Sequence, residues 1–258
     1  MIQWYPGHMA KAMRHIVEAV RLADVVIEAI DARLPRSGAN PALRQLARGK
    51  RRIVALTRCD LADARTTRAW VTAFARSDVT AIALDARKAR AVARIAAMLR
   101  LQPDRSARGI VVGIPNAGKS TILNALARRG AAKTERRAGV TRRTQWFRIG
   151  RTFEMMDTPG VLVPKIASAQ AQWKLAAIGA IPTERYDPQR VADAVWGWAV
   201  RSGIDSVPPL DAFVAKRGFV RRGGKVDRHN AAQSYLRAFE QGTFGRISLE
   251  TPDDAEAT

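Results

Sequence analysis

The stretch "GIVVGIPNAGKST" at residues 109–121 constrains the fold of this chain more than any other part. An apolar run predicts a strand, and the pattern G-x-x-x-x-G-K-S follows it directly before a predicted helix. Gly113 and Gly118 allow a tight turn whose backbone amides point at phosphate oxygens. Lys119 supplies a positive charge to the outer phosphates, and Ser120 offers a hydroxyl to Mg²⁺. A fortuitous glycine-rich turn is the alternative, but the strand and helix on either side favour a nucleotide site.

Apolar runs alternate with amphipathic segments over the first 157 residues. Strands are predicted at 25–30, 52–57, 79–85 and 109–114, helices at 9–22, 63–76 and 88–101 and from Lys119, and a hairpin at 145–157. Strands that alternate with helices form a mostly parallel sheet with helices on both faces. The fold class is therefore α/β.

The character of the sequence changes after residue 164. Asp187 is a predicted helix N-cap with Pro188 at the first helical position, and later apolar residues recur at helical spacing. We therefore predict a nucleotide-binding domain at 1–164 and a small all-helical domain at 165–250. Residues 251–258 are acidic and poor in apolar side chains, which favours disorder.

A second phosphate-sensing segment follows the hairpin. In "DTPG" (157–160), Asp157 can hold a metal ion through water, and the Gly160 amide can meet a γ-phosphate. Between this segment and the phosphate loop, "RRAGVTRRT" contains Thr141, a candidate second Mg²⁺ ligand on a loop ordered by a triphosphate. Alone, "DTPG" is an ordinary turn; together with the upstream loop it predicts a switch.

The segment that reads the base is predicted upstream of the phosphate loop. G proteins carry an Asn-Lys-x-Asp segment after a strand downstream of these elements, but no such strand follows Gly160. Instead, the strand at 52–57 ends in Thr57-Arg58-Cys59-Asp60, and the next ends in "LDARK", where many G proteins have Ser-Ala-Lys. The parts are present in rotated order, which predicts a circularly permuted GTPase domain.

This order of motifs resembles that of one known family. Together with "WYPGHMAKA", "DARLPRSGANP", "GVTR", "DTPGVLVPK" and the C-terminal "GKVDRHNAAQSYLRAFEQGTFGRISLE", it is similar to the YlqF/RbgA family of ribosome-biogenesis GTPases. The resemblance covers almost the whole chain. It implies a cytoplasmic bacterial GTPase that binds the large (50S) ribosomal subunit late in its assembly, with GTP or GDP and Mg²⁺ as cofactors. It also implies a helical C-terminal domain that contacts ribosomal RNA.

The resemblance further implies roles for single residues. Asp60 accepts hydrogen bonds from guanine N1 and N2, and the backbone amide of Ala86 donates to O6. The chain departs from the pattern because Thr57 replaces the usual Asn and Arg58 the usual Lys. Arg58 can still stack over the base, whereas Thr57 lacks an amide, so we hypothesise a guanine site of reduced affinity or selectivity. The predicted nucleotide contacts are Thr57, Arg58, Asp60, Ala86, Asn116, Ala117, Gly118, Lys119, Ser120, Thr121, Thr141 and Gly160.

The residue that orients the attacking water is not evident. In Ras-like enzymes a Gln follows the DxxG glycine, but Val161 occupies that place here. The resemblance offers two substitutes beside Lys119. Asn116 helps to bind a monovalent cation such as K⁺, and His8 orients or deprotonates the water when the ribosome arranges the N-terminal segment. The alternative for His8 is a turn histidine with a structural hydrogen bond.

The charge of the chain indicates a polyanionic partner. Lys and Arg total 44 against 23 Asp and Glu, a formal net charge of +21. Residues 1–164 carry 31 basic and 12 acidic residues (+19) and residues 165–258 carry 13 and 11 (+2), so the nucleotide-binding half is itself a candidate RNA-contacting surface. Two clusters stand out, at 216–228 and in "RGKRR" (48–52). A soluble enzyme from an arginine-rich proteome is the alternative.

The predicted function is a GTPase of large-subunit assembly that binds rRNA in the GTP state and is released on hydrolysis. The alternative is a nucleotide-gated RNA-binding placeholder with little relevant hydrolysis. With a single cysteine and no apolar leader or spanning segment, we expect a cytoplasmic protein. We expect no membrane or DNA partner, and a monomer when the protein is free.

Overall fold

A computed structural model describes most of the chain. It covers residues 7–77, 79–85, 87–99, 107–130, 146–149, 153–162, 166, 168–218 and 227–253.

The described part contains six strands, nine α-helices and one 3₁₀ turn at Thr183–Arg185. The strands are β1 (Val25–Asp31), β2 (Arg51–Thr57), β3 (Thr80–Leu84), β4 (Ala107–Val112), β5 (Trp146–Ile149) and β6 (Phe153–Asp157). The helices are α1 (Gly7–Leu22), α2 (Pro41–Leu46), α3 (Ala64–Arg76), α4 (Ala89–Leu99), α5 (Lys119–Gly130), α6 (Ala169–Ala177), α7 (Pro188–Arg201), α8 (Leu210–Arg217) and α9 (Arg228–Glu240).

The six strands form one sheet in the order β3-β2-β1-β4-β6-β5. Five of them are parallel, and β5 pairs antiparallel with β6 as the predicted hairpin. All seven residues of β1, which lies near the middle of the sheet, are buried. The predicted α/β class and mostly parallel sheet are confirmed. The carboxyl ends of β1, β2, β4 and β6 meet at one edge, which we call the carboxyl edge.

Successive side chains of β1 point to opposite faces of the sheet, and each face has its own cover. Val25 and Ile27 belong to a hydrophobic cluster with α4, α5 and the C-terminal helices. Val26 packs in a second cluster with α1 and α2, and Ile30 in a third with Trp70 of α3. This alternation follows from the two-residue period of a strand. It places helices on both faces, as predicted.

Short polar side chains fix where several helices begin. Asp63 and Asp187 accept hydrogen bonds from the backbone N–H groups of Thr66 and Gln189, and Ser168 caps α6 in the same way. Such a side chain satisfies one of the unpaired amides of the first turn. The predicted start of α7 at Asp187-Pro188 is confirmed.

The described residues between 168 and 240 are helical, with turns between the helices. We call this part the helical unit. Phe213 and Tyr235 of this unit stack edge-on or tilted with each other and with Phe244, which follows α9, with ring centroids 5.0 to 6.0 Å apart. The helical unit shares one hydrophobic cluster with a face of the sheet, so its apolar core is continuous with that of the sheet domain.

The chain returns to the sheet domain after α9. The backbone N–H of Ile247 donates to the Leu61 carbonyl at 2.9 Å, and that of Leu249 donates to the Arg33 carbonyl at 2.8 Å. The buried Glu250 carboxylate accepts from the backbone N–H groups of Arg36 and Ser37. We call residues 241–253 the return segment. The boundary predicted at 250 groups these residues with the helices, whereas their hydrogen bonds join them to loops at the carboxyl edge.

The first three residues of the predicted tail, 251–253, lie within the described part of the chain. Pro252 lies in a turn, and its carbonyl accepts a hydrogen bond of 3.0 Å from Arg36. Residues 254–258 lie outside the described residues, and their disorder stays a prediction. Among the described helices, none is both long and apolar enough to span a bilayer.

Candidate nucleotide-binding site

The phosphate loop connects β4 to α5 through an unusual backbone path. Gly113, Asn116 and Gly118 have φ angles of 153°, 58° and 84°. A Cβ atom on Gly113 would lie 2.4 Å from the Ala29 carbonyl oxygen, so only glycine fits against β1 there. The turn leads directly into the first turn of α5, where unpaired amides and the helix dipole favour a phosphate group.

Lys119 lies beneath this loop with only 7% of its surface exposed. Its ammonium group donates a hydrogen bond of 2.8 Å to the Ile114 carbonyl. Burial lowers the pKa of Lys119 to about 8, and the negative charge of Asp157 opposes the change. Within the described part of the chain no carboxylate forms an ion pair with this ammonium group, and a phosphate group would provide an anionic partner.

Asp157 ends β6 beside the first turn of α5. The Ser120 hydroxyl donates to Asp157 Oδ2 at 3.2 Å, while Oδ1 is buried and has no hydrogen-bond partner among the described residues. A Cβ on Gly160 would lie 2.6 Å from the Pro115 backbone and 2.9 Å from Lys119 Nζ. The "DTPG" segment thus lies directly against the phosphate loop.

Val161 faces away from this site. Its side chain is 1% exposed and packs in the cluster with α1 and α2. Its backbone N–H donates to the Gly113 carbonyl at 3.2 Å, and its carbonyl accepts from the Asn40 side chain at 3.2 Å. The side chain that replaces the usual Gln therefore belongs to the core, as its apolar character indicates.

The segment predicted to read the base follows β2 at the same edge of the sheet. The hydroxyl of Thr57 lies 2.8 Å from the Ala117 carbonyl and 3.1 Å from the Ile30 carbonyl. Its single hydrogen can serve the nearer acceptor, which ties β2 to the phosphate loop. Arg58 has a φ of 51°, so the chain turns sharply there before it reaches Asp60.

One cavity of about 370 Å³ brings the two predicted halves of the site together. Thr57, Arg58 and Asp60 line it together with Gly118 and Thr121. These two groups are about 60 residues apart in sequence but meet because β2 and β4 flank β1. The rotated order of motifs thus converges on a single site.

Asp60 is paired within this cavity. The Arg87 guanidinium group donates to carboxylate oxygens of both Asp60 and Asp85. The hydrogen bond from Arg87 lowers the pKa of the Asp85 carboxyl, and the two carboxylates raise that of Arg87. Arg87 stands where many G proteins have the Lys of Ser-Ala-Lys, and here it bridges the ends of the two base-side segments.

The end of α9 supplies a wall of the cavity that motif patterns do not reveal. Glu240 and Gln241 line it, and Glu240 Oε1 lies 3.4 Å from Nη1 of Arg58. Buried Arg33, which also pairs with Asp31, donates to the Glu240 carbonyl at 2.9 Å. Sequence reasoning missed these contacts because the partners are about 200 residues apart and carry no local motif.

The helical unit also contacts the phosphate loop. The Asn116 side-chain amide donates to the Gly179 carbonyl at 2.6 Å. Gly179 has a φ of 75°, and a Cβ there would lie 2.8 Å from the Glu240 carboxyl carbon. A residue other than glycine would therefore disturb both the turn and Glu240. The loop after α6 joins the phosphate loop to the end of α9.

Comparisons with known proteins agree with this arrangement. A family model described as 50S ribosome-binding GTPase matches residues 108–185. Ribosome biogenesis GTPase A of Bacillus cereus is 35% identical in an alignment 289 positions long, which covers 98% of this chain and 95% of the relative. Its Thermotoga maritima counterpart is 36% identical over 256 residues, with the same coverage of both chains. The chain belongs to the ribosome biogenesis GTPase A family.

Two solved structures of this family share the fold. GNP-bound YlqF from T. maritima aligns with a TM-score of 0.75 and 33% identity, over 95% of this chain and 99% of that one. The GDP-bound structure of the T. maritima protein gives 0.74 and 32%, over 93% and 100%. The family resemblance and the permuted fold expected from the sequence are therefore confirmed.

Several predicted residues of the family site are not described by the structure. Ala86 and Thr141 lie outside the described residues, as do Arg221 and its neighbours in the second basic cluster. His8 is the second residue of α1, but its side chain lies outside the described part. The roles predicted for these residues stay predictions.

Proposed function

We propose that this chain is a cytoplasmic GTPase that acts in the assembly of the large ribosomal subunit. The observation that carries the proposal is the shared cavity, which Asp60 and the phosphate-loop residue Gly118 both line. Relatives at 35% and 36% identity over 98% of the chain are named ribosome biogenesis GTPases, which supports the assignment to assembly.

Guanine is the base that fits the cavity. A carboxylate accepts hydrogen bonds from N1–H and the 2-amino group of guanine, whereas adenine offers no matching donors at that edge. Arg58 lines the same cavity, where its planar guanidinium group can lie over the base. The Thr57 hydroxyl holds the base-side segment to the phosphate loop in place of the missing Asn amide.

Ser120 and Asp157 have the chemistry to hold Mg²⁺. Their oxygens are 3.2 Å apart, and the second carboxylate oxygen of Asp157 is buried without a hydrogen-bond partner among the described residues. Hydroxyl and carboxylate oxygens are ligands that Mg²⁺ prefers. When bound, the ion neutralises charge on the β- and γ-phosphates. Thr141 is the proposed further ligand.

Hydrolysis requires a group that positions water, and Val161 does not reach the site. We assign this role to His8, the second residue of α1. In this proposal, binding to the ribosome orders the N-terminal segment and positions His8 at the nucleotide. Asn116 lies in the phosphate loop with its amide nitrogen on Gly179. Its side-chain oxygen is the proposed ligand of K⁺.

Nucleotide state is coupled to the helical unit in this proposal. Asn116 and Arg58 contact the helical unit from the phosphate side and the base side of the cavity. The segment after Gly160 leads into the helical unit, so a γ-phosphate that orders it favours the arrangement that binds rRNA. Hydrolysis removes this restraint and releases the protein.

Sedimentation with purified large subunits tests the proposal. We expect co-sedimentation with a non-hydrolysable GTP analogue, and release with GDP. A Lys119→Met variant serves as the control that cannot hold the outer phosphates. Equal co-sedimentation in the two nucleotide states would contradict the proposal.

A nucleotide-gated RNA-binding placeholder is the second candidate, favoured by the burial of Val161 in the core. Phosphate release, measured with and without large subunits, separates the two candidates. The assembly GTPase is expected to be stimulated by subunits and to lose that stimulation in His8→Ala. A rate that subunits do not change would favour the placeholder.

A further inference from the structure

Basic side chains surround a second cavity at the amino edge of the sheet, where β1 and β2 begin. It has a volume of about 560 Å³, and Arg44, Arg48, Lys50 and Arg52 line it. We call these four residues the amino-edge patch. Arg44 lies in the last turn of α2, and Gly49, with a φ of 74°, turns the chain between Arg48 and Lys50 just before β2.

The members of the patch differ in their partners. Arg52 donates to the buried carboxylate of Glu28, so its charge is neutralised within the fold. Lys50 donates to the Arg21 carbonyl near the end of α1, and this neutral acceptor does not offset its positive charge. Arg44 and Arg48 are exposed, and neither pairs with a carboxylate in the part of the chain that the structure describes.

The patch is separate from the nucleotide site. Strand β2 begins at Arg51 beside the patch and ends at Thr57 in the nucleotide cavity. Five residue steps from Arg52 to Thr57 span roughly 17 Å at the rise of a β-strand. A nucleotide in the first cavity therefore does not neutralise Arg44 or Arg48.

Like charges held together without counter-charges repel one another, and a polyanion removes that repulsion. Three of the four patch residues are arginines. The planar guanidinium group of arginine can donate two parallel hydrogen bonds to the oxygens of a phosphodiester. The cavity is concave, which suits a protruding nucleic-acid backbone better than a flat bilayer surface. Leu22 is the one large apolar side chain among the described residues of α1 and α2 that is strongly exposed, so no apolar face for a membrane accompanies the charge.

We propose that the amino-edge patch binds the phosphate backbone of RNA, with Arg44 and Arg48 as its principal contacts. The inference rests on the proposed role in ribosome assembly for the identity of the RNA. It gives the sheet domain its own contact, on the edge opposite the nucleotide and independent of the basic segment near residues 216–228.

Two matched variants test the proposal on the full-length protein. Arg44→Glu/Arg48→Glu reverses the patch, and Arg65→Glu/Arg68→Glu makes the same change in net charge at the start of α3, by the carboxyl edge. The probes are a 20-base-pair RNA duplex and a single-stranded RNA of that length, titrated with a non-hydrolysable GTP analogue present. A GDP titration and a thermal unfolding curve check that both variants retain the fold.

We expect the patch variant to bind at least one probe about 10- to 100-fold more weakly at 150 mM salt. The slope of log K against log salt should fall by about 2, because two phosphate contacts are lost. The control should change little. Equal weakening of RNA binding in both variants would mean that only the net charge of the protein matters. That result, or unchanged RNA binding in the patch variant, would overturn the proposal.

Binding of wild type and the patch variant to vesicles that contain anionic lipid is the last measurement, and it tests a membrane as the alternative partner. Loss of vesicle binding in the patch variant, with RNA binding unchanged, would assign the patch to a membrane instead and overturn the proposal. Sedimentation of the wild-type protein with large subunits is read separately. If wild type fails to bind subunits, the proposed function fails, while the RNA titrations still decide the role of the patch.

Discussion

The phosphate side and the base side of the nucleotide cavity are built in opposite ways. The phosphate side comes from one continuous loop with its following helix, and it matches its motif at every defining position. The base side departs from its motif at Thr57 and Arg58, and it takes contacts from β1 and α9. A local motif suffices where backbone amides bind the ligand, whereas side-chain recognition depends on distant packing.

The difference predicts that changes on the phosphate side act on all nucleotides alike, whereas changes on the base side alter selectivity or act through the helical unit.

The largest effect is expected from Lys119→Met. Removing the ammonium group should weaken both GDP and GTP binding by about 100-fold, since charge-assisted contacts with phosphate are lost. Stability without nucleotide should be maintained or increased, because the charged form of Lys119 is disfavoured by burial. Fluorescent nucleotide titration and thermal unfolding measure the two quantities. A less stable variant would mean that the lysine also supports the fold.

Asp60→Asn comes next and tests the base side. Guanine loses a carboxylate acceptor, so GDP affinity should fall by about 10- to 100-fold. Xanthine nucleotides should bind better than to wild type, because an Asn amide can donate to the 2-oxo group. Competition titrations with GDP, XDP and ADP provide the measurement. Unchanged preference among the three bases would show that Asp60 does not face the base.

The pH dependence of GDP binding tests the phosphate side of the cavity, because Lys119 titrates there. With a pKa of about 8 in the nucleotide-free protein, Lys119 is increasingly neutral above that pH, so GDP affinity should fall by up to about tenfold per pH unit. Between about 8 and the ordinary lysine pKa of 10.5, the unfolded state binds more protons, so the stability of the nucleotide-free protein should rise with pH. The comparison is made between pH 7 and 9.5. In Lys119→Met, the lysine-dependent part of both trends should disappear.

The smallest effect is expected from Glu240→Gln. Without its ion pair, Arg58 is held less firmly, so GDP and GTP affinities should fall together by about three- to tenfold. Glu184→Gln is the matched control, because Glu184 is an exposed carboxylate of the same helical unit.

A double-mutant cycle with Arg58→Ala tests this coupling. If the effect of Glu240→Gln acts through Arg58, it should be small once Arg58 has been removed. Glu240→Asp should restore part of the affinity. Independent effects of the two substitutions would separate Glu240 from base binding.

The sequence predicts those parts of the site that depend on local patterns. The strand, glycines and lysine of the phosphate loop are contiguous, and Asp60 could be found because it follows a strand by a fixed spacing. The role of Arg33 could not be found, because its partners at the end of α9 are set by packing of the helical unit against the sheet. The contacts of the return segment could not be found for the same reason: the hydrogen bonds of Ile247 and Leu249 with distant carbonyls leave no periodic signal in the sequence.

The return segment has a consequence for synthesis of the chain. During translation the phosphate loop leaves the ribosome well before Glu240, Gln241 and Glu250. A nascent chain can therefore form the parallel strands and the phosphate loop before Glu240 and Gln241 line the predicted base pocket. At that stage the hydrogen bond between Glu250 and the backbone N–H of Arg36 is also missing. Under the proposed function, recognition of guanine therefore requires the complete polypeptide, and we expect an incomplete chain to bind the nucleotide more weakly.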